Sequence, residues 1–479
     1  MSYRTPRYRP QVIRRGPRAS HEIELPVLED RSRPPHARHH AKTFVGALAA
    51  LVALGATLLA TPWTAESGEA TSPVDALFTA VSATSVTGLV TVDTADHWNL
   101  LGEIIILVLI QAGGIGFMVG ASIVLQVLRR GQTRLRDALL MQDGAPTLSL
   151  REAVVLSRRI IIFTAIVEGV GALLLTIRFA KDLPLHVALW HGVFHSIAAF
   201  CNAGFDLQGG FASLQPYNTS VTVNVVIMLL IQAGALSFIV FEDISRKRRW
   251  STLAIDTKLV LIVNAALLAT AAIQIMIAEW QGALGDTPVA YRPLSALFQS
   301  VAARTAGFAT VDFGEAHVVT LFVWVAVMLV GGASGSTAGG VKLTTVGVIG
   351  AAVISTLRGR DEPQVFGRRI SVQLVFRAMT VVAIMLIVHF LATLLLAATE
   401  DLFADGNASF LALMFEAMSA LATVGLTTGI TPSLSDAGKL LLCGVMFFGR
   451  VGPLTAAYAL QRRQQAIRYR LPEASVRIG

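Results

Sequence analysis

Four short stretches of this chain share one spacing, and that spacing suits the handling of a bare cation. LFTAVSATSVTGL runs past Gly88, VFHSIAAFCNAGF past Gly204, LFQSVAARTAGF past Gly307 and MFEAMSALATVGL past Gly425. Phe78, Phe194, Phe298 and Phe415 precede those glycines by 10, 10, 9 and 10 positions. Each stretch is apolar, too short to cross a bilayer, and ends where glycine lets the backbone turn freely. Irregular backbone at membrane depth is tolerated only where protein buries it or it lines a wet cavity. There its carbonyl oxygens can replace the hydration shell of an ion. A short helix before each turn would aim its negative C-terminal end at the same point. One such glycine is an ordinary turn; four in register make a designed constriction.

The fourth turn reads Thr423-Val424-Gly425-Leu426-Thr427, close to the TVGYG pattern of potassium-selective filters. Two further features stand apart from the turns. Residues 331–340, Gly331-Gly332-Ala333-Ser334-Gly335-Ser336-Thr337-Ala338-Gly339-Gly340, are ten small residues inside an apolar run, a poor helix with little bulk and many exposable amides. A phosphate-cradling loop is the rival reading, but GxxxxGK[ST] is absent: Val341 separates Gly340 from Lys342, and Leu343 follows. Arg450, in FFGRVG, lies inside the last apolar run. A charge there is costly and marks function unless it snorkels to an interface.

These residues need elements that hold them at depth. Apolar residues make up 54% of the 479 and charged residues 15%, which argues against a soluble protein. Apolar runs at about 43–62, 100–128, 157–179, 220–242, 257–280, 317–357 (interrupted), 372–398 and 437–460 give eight spanning candidates. The four glycine-ending stretches lie between them. The expected fold is therefore all-α and polytopic: four repeats of span, re-entrant pore helix, turn and span around one pore. Repeat boundaries fall at 42–130, 150–245, 255–357 and 370–462, with a basic cytoplasmic tail over 1–41 and a cytoplasmic C-terminus over 463–479. Four copies of one supersecondary unit predict a shared axis.

Charge sets the orientation. With the N-terminus inside, only Arg178, Lys181, Arg292, Arg304, Lys439 and Arg450 of the 39 lysines and arginines escape the cytoplasmic segments. The net charge of +8 thus records topology and does not call for nucleic acid. The Arg- and Pro-rich tail cannot bury a core, and the apolar run behind it starts too late for a signal peptide. Cys201 and Cys443 sit in apolar surroundings and read as small hydrophobes.

Together SVTGLVTVDT (85–94), LIQAGGIGFM (109–118), FCNAGFDL (200–207), ARTAGFAT (303–310), GGASGSTAGGVK (331–342), TVGLTTGIT (423–431) and FFGRVGPLT (447–455) resemble the Trk/Ktr/HKT superfamily of potassium transporters. The resemblance covers about residues 42–479. Eight spans without an extra N-terminal pair look more like the Ktr-type membrane subunit than the ten-span Trk type. It implies a selectivity filter around Val86-Thr87-Gly88, Asn202-Ala203-Gly204, Thr305-Ala306-Gly307 and Thr423-Val424-Gly425. Potassium would be held at Thr87, Gly88, Asn202, Gly204, Thr305, Gly307, Thr423 and Gly425. It also implies an intramembrane gating loop at 331–340 and a barrier or gating role for Arg450. Plant relatives with serine at the first glycine tend to favour sodium, so Gly88 implies potassium preference. The family further implies a homodimer in the bacterial cytoplasmic membrane, seated on a cytoplasmic ring of regulatory proteins. The nucleotide would bind that ring, and this chain would carry no covalent cofactor.

Other readings carry less. His191 and His195 are one helical turn apart but lack the HExxH glutamate. QAGGIGF at 111–117 imitates a dinucleotide fingerprint, but it lies inside an apolar run with no strand before it, which favours close helix packing. No nucleophile, base and orienter group suggests an enzyme. Different classes remain open: a symporter coupled to sodium or protons, a secondary transporter of another solute with discontinuous helices, or a non-conducting scaffold. A scaffold has no need of four glycine turns.

Overall fold

The structure, a computed structural model, describes residues 36–132, 150–360, 362–403 and 408–462. The N-terminal tail up to residue 35 and the C-terminal segment 463–479 lie outside the described residues. Fifteen α-helices and one two-residue-stranded hairpin are described. The first repeat holds α1 (His36–Leu59), α2 (Pro73–Ser85), a single turn α3 (Thr94–His97) and α4 (Leu100–Gln132). Then come α5 (Leu150–Phe179), α6 (Leu185–Cys201), α7 (Val221–Ala235) and α8 (Phe238–Lys247). The third repeat is α9 (Ile255–Ala278), α10 (Arg292–Ala302), α11 (Val318–Met328) and α12 (Leu343–Leu357). The last is α13 (Val372–Phe403), α14 (Phe410–Ala422) and α15 (Asp436–Arg462). Each repeat is thus a long helix, a short helix, a glycine turn and a further helix or broken helix.

Four described helices are long and apolar enough to cross a membrane: Leu100–Gly120, Val154–Phe179, Ile255–Ala278 and Val372–Asp401. The bent pair α7–α8 makes a fifth. The expected span over 317–357 is broken for a visible reason. The small-residue run splits α11 from α12. Apolar side chains such as Ile166, Val170, Leu173, Phe322, Phe390 and Leu394 face outward on these helices, as hydrocarbon contact requires.

One expectation needs correction. The run 220–242 reads as a single straight span, yet the helix bends by 92° between Ala235 and Phe238. Ser237 takes a left-handed φ of 71°. The carbonyls of Gly234 and Ala235 are released from helical pairing and accept from the amides of Thr337 (3.3 Å) and Ala333 (2.8 Å). Ser237 Oγ also donates to the Gly335 carbonyl at 3.1 Å. A partner far along the chain causes this bend, so local composition does not show it.

The repeats are joined by buried apolar clusters between neighbours. One runs from Leu59, Ala80 and Ile106 through Phe194 and Ile227 to Phe298; others join the first and fourth repeats and the third and fourth. The ring closes where Lys439 at the start of α15 meets Asp75 in the first turn of α2 at 3.0 Å, with both side chains largely covered. Phe78, Phe194, Phe298 and Phe415 are all fully buried, which explains why the spacing keeps them.

Within every repeat the end of the first helix is tied to the start of the second. Asn99 donates to the Trp63 carbonyl at 2.8 Å and caps α4. Arg178 donates to Ser220 at 3.1 Å. Glu279 accepts from the His317 amide at 3.0 Å and lies 2.9 Å from His317 Nδ1. Glu400 accepts from the amide and hydroxyl of Ser435 at 3.1 and 2.8 Å. The ties through Asn99, Glu279 and Glu400 also satisfy backbone donors at helix starts.

Glu279 gives a pH test. Burial raises its carboxyl, but hydrogen bonds from Thr320, His317 and the Ala283 amide outweigh burial and hold its pKa below the ordinary value. A depressed carboxyl stabilises the fold above the ordinary glutamate range, and that stability is lost as pH falls through the folded pKa. Glu279→Gln should therefore lower unfolding stability in detergent at pH 7 by about 1.5–3 kcal/mol, the range for hydrogen bonds to a charged group. Thermal melts from pH 7 down to about pH 3 should show parent and variant converging only below the ordinary glutamate range; a constant gap down to that pH would contradict the assignment.

Candidate functional site

The four turns adopt one geometry. The residue two before each glycine is left-handed: Val86 (φ 58°), Asn202 (61°), Thr305 (61°) and Thr423 (51°). The glycines follow at φ 94°, 70°, 77° and 90° for Gly88, Gly204, Gly307 and Gly425. Three turns close their helices directly: Val86, Asn202 and Thr423 donate to the carbonyls of Ala83, Ala199 and Ala420 at 3.1–3.2 Å. The intervening Thr87, Ala203 and Val424 donate back to Ser82, Ala198 and Ser419 at 2.7–2.8 Å. The third helix ends at Ala302, and the turn through Ala303 and Arg304 absorbs its one-residue shortfall. The left-handed residue and the glycine therefore keep their spacing in all four copies.

The glycines then meet one another in a closed ring. A methyl group on Gly88 would fall 2.4 Å from the Ala203 carbonyl oxygen and 3.0 Å from Gly204 Cα. One on Gly204 would lie 2.8 Å from Gly307 Cα, and one on Gly307 2.8 Å from the Val424 oxygen. One on Gly425 would lie 2.2 Å from the Thr87 oxygen and 3.1 Å from Gly88 Cα. Each contact is to backbone, so nothing flexible can yield. All twelve residues of the four turns are buried. Backbone from four distant parts of the chain converges with carbonyls at its rim, a set that suits an oxygen-seeking monovalent cation.

Residues 331–340, between α11 and α12, lie against the second, third and fourth turns. A parallel bridge of Val330 with Val341 closes the neck of the loop. Gly331 donates to Val341 at 3.0 Å and Leu343 to Gly332 at 3.0 Å. Ala333, Gly335 and Thr337 hold the bent α7–α8 elbow, as described above; the Ser336 amide donates to Ala333 at 3.2 Å, and the Ser334 hydroxyl lies 3.1 Å from that of Thr344. Ala338 and Gly339 give their carbonyls to Lys342 Nζ at 2.6 and 3.3 Å. Gly340 is left-handed at φ 58°. Arg450 is buried, bonded through its guanidinium to the carbonyls of Thr337 and, at 3.3 Å, Gly113. Its Cζ stands 4.3 Å from the Phe117 ring centre. Arg450 thus enters the bundle and does not snorkel to an interface.

The sequence reading missed several participants. Lys342, which charge counting assigns to the cytoplasmic side, reaches up to loop carbonyls and stands 5.5 Å from the same Phe117 ring. Ser82 and Ser419, each six residues before its glycine, accept from the amides of Gly88 and Gly425 at 3.0 Å. Glu416, buried in α14, accepts from Thr427 at 2.6 Å, the Thr428 amide at 2.9 Å and Thr431 at 2.8 Å, and so braces the fourth turn. An acid inside an otherwise apolar short stretch was its signal. Outside the ring, Asp93 and Asp96 accept from the amides of Phe211 (2.6 Å) and Gly210 (2.8 Å), tying the first loop to the second. His195 bonds the His191 carbonyl at 2.8 Å and packs in the core, and no metal-holding cluster occurs among the described residues. In QAGGIGF, a methyl on Gly113 would sit 2.0 Å from the Thr84 carbonyl, which is close packing.

Comparison with known proteins gives the family and the fold. The family model "TrkH: Cation transport protein" matches residues 24–466. The chain belongs to that family. It is 37% identical over 431 residues to the Ktr system potassium uptake protein B of Bacillus subtilis, covering 89% of this chain and 94% of that protein. It is 35% identical to the potassium/sodium uptake protein NtpJ of Enterococcus hirae, over 90% of this chain and 95% of that one. Among solved structures, the potassium transporter TrkH from Vibrio parahaemolyticus superposes with a TM-score of 0.68 at 19% identity, over 91% of this chain and 86% of that chain. This last likeness carries the fold. As a TrkH-family member, the chain is a mostly helical membrane protein of a cation-transport family.

The ring gives a controlled test. Gly425 and Gly429 share the left-handed backbone, at φ 90° and 87°, but a methyl on Gly429 meets nothing within 4 Å. Gly425→Ala should cut cation uptake into proteoliposomes by at least about tenfold, since overpacking against fixed backbone costs about 1–3 kcal/mol. Gly429→Ala should stay within about threefold, carrying only backbone strain of about 1 kcal/mol. Equal effects would locate the sensitivity in backbone strain and not in the ring.

Proposed function

We propose that this chain is the ion-conducting subunit of a bacterial potassium uptake system. The observation that carries the reading is the closed ring of four glycine turns. Eight spans and four re-entrant helices (α2, α6, α10 and α14) then surround one pore, in an inner-membrane protein with both termini cytoplasmic. Val86 to Gly88, Asn202 to Gly204, Thr305 to Gly307 and Thr423 to Gly425 form the filter and hold potassium through their carbonyls. Residues 331–340 form the gate, with Arg450 and Lys342 as its fixed cations. The relatives named for potassium uptake support potassium as the ion, and the word "system" in the Bacillus relative's name supports a partner. A homodimer on a cytoplasmic nucleotide-binding ring is the assembly this reading expects, with the basic cytoplasmic segments as its docking face.

A second reading is potassium and sodium uptake together, which the name of the Enterococcus relative favours. Uptake by the purified subunit in liposomes, compared across potassium, rubidium, sodium and lithium gradients, separates the two. Strong preference for potassium and rubidium supports the first, and comparable sodium flux the second.

Charge at the gate makes a separate prediction. Like unit charges about 6 Å apart at an effective dielectric near 20 repel by about 3 kcal/mol, and a barrier of about 1.4 kcal/mol is already tenfold in rate. Arg450→Ala should raise initial potassium uptake several-fold without any regulatory partner, and Arg450→Lys should stay nearer the parent. Equal change in both variants would show that guanidinium geometry matters and not charge. Reduced uptake by a well-folded Ala variant would overturn the barrier role.

A further inference from the structure

The loop at 331–340 does more than lie against the ring; it is hydrogen-bonded to it. Thr337 Oγ1 lies 3.2 Å from Asn202 Oδ1 and 3.2 Å from the Phe200 carbonyl, to either of which it donates. Asn202 Nδ2 passes the link onward to the Arg304 carbonyl, next to Thr305, at 3.1 Å. Thr305 Oγ1 accepts from the Gly339 amide at 3.1 Å. Gly339 also presses on the fourth turn: a methyl there would fall 2.1 Å from Thr423 Oγ1 and 2.5 Å from the Ala422 carbonyl. At the loop's other end the Gly331 carbonyl accepts from the Arg304 guanidinium at 3.4 Å.

The three residues so contacted, Asn202, Thr305 and Thr423, are the left-handed residues of their turns. Such a conformation costs a non-glycine residue about 1–3 kcal/mol and persists only where the surroundings over-determine it. For three of the four turns, part of those surroundings is the loop. The first turn differs: Val86 has no side-chain polar atom, and its neighbour Thr87 lies 2.7 Å from Ser85 within its own segment.

We propose that Asn202, Thr305 and Thr337 are positioning residues that make the selectivity of the ring depend on where the loop sits. This rests on the reading of the ring as filter and the loop as gate. A loop that moves aside to clear the path withdraws the Thr337 and Gly339 contacts from the second, third and fourth turns and leaves the first unchanged. The open pathway then discriminates between potassium and sodium less well than the closed one. Coupling between two sites is reciprocal, so potassium in the ring holds the loop in place.

The test compares Thr337→Val, which keeps shape but removes the hydroxyl, with Thr337→Ser, which keeps the hydroxyl. Thr305→Val removes the second link independently. Purified parent and variants are checked for folding by size-exclusion and thermal melting, then measured in two ways. The potassium-to-sodium flux ratio in proteoliposomes should fall about tenfold in both Val variants, the scale of one buried hydrogen bond, and stay near the parent in Thr337→Ser. The rise in melting temperature on adding potassium in place of sodium should shrink in the Val variants and persist in Thr337→Ser. Faster flux in Thr337→Val with an unchanged ratio and an unchanged potassium effect would overturn the proposal, leaving the loop a simple plug. A parent that neither discriminates between the ions nor is stabilised by potassium would overturn the underlying filter reading, a different outcome.

Discussion

The structure is organised around one backbone constraint: four chain segments must turn left-handed, then through glycine, at a common point where no side chain fits. A carbonyl at membrane depth needs a partner, and helices supply one everywhere except at their ends. Three of the short helices therefore stop in the same way, with the amides that follow them folded back on their own carbonyls, and the third reaches the same turn through Ala303 and Arg304. The ring of contacts from Gly88 to Gly204, Gly307, Gly425 and back leaves no room for a Cβ. The buried phenylalanines nine or ten residues earlier fix how far each short helix can slide, and the inter-repeat clusters with the Lys439–Asp75 pair keep the four units from separating.

The same constraint accounts for the broken helices. The backbone packed against three of the turns comes from the small-residue run between α11 and α12. That run has its own unpaired amides, and two of them take carbonyls from the end of α7, which bends there as a result. The loop and the bend at Ser237 are therefore one feature with two ends. Neither is stable without the other's hydrogen-bonding groups, because both are buried away from water.

The sequence made part of this legible. Repetition of Phe and Gly at a fixed interval reports the turns, since only glycine tolerates that approach and the interval is set by helix length. The small-residue run and Arg450 were visible because each violates what an apolar span should contain. What did not show was anything fixed by a distant partner. The left-handed positions hold Val86, Asn202, Thr305 and Thr423, three kinds of side chain, and only Asn tolerates that conformation by its own chemistry. The elbow at Ser237 depends on residues about a hundred positions away. Lys342 was counted with the cytoplasmic charges because counting cannot tell a lysine that faces water from one that reaches up to loop carbonyls. The hairpin of Gln364–Val365 with Arg368–Arg369 went unread because its Phe366-Gly367 turn carries only one of the usual turn residues.

The chemistry beside the ring mirrors that of the ring itself. Carbonyl oxygens of Thr337, Ala338, Gly339 and Gly113 are the kind of ligand a partly dehydrated ion needs, yet each is already taken. Arg450 holds Thr337 and Gly113, and Lys342 holds Ala338 and Gly339. Both cations also face the Phe117 ring, whose π-face partly offsets their mutual repulsion. On the proposed reading, a passing ion meets oxygen ligands occupied by tethered cations. The barrier is then competition for carbonyls as well as charge repulsion. Replacing arginine by lysine keeps the charge but cannot reproduce a fork that spans two separate carbonyls, so the two contributions are separable at this one side chain.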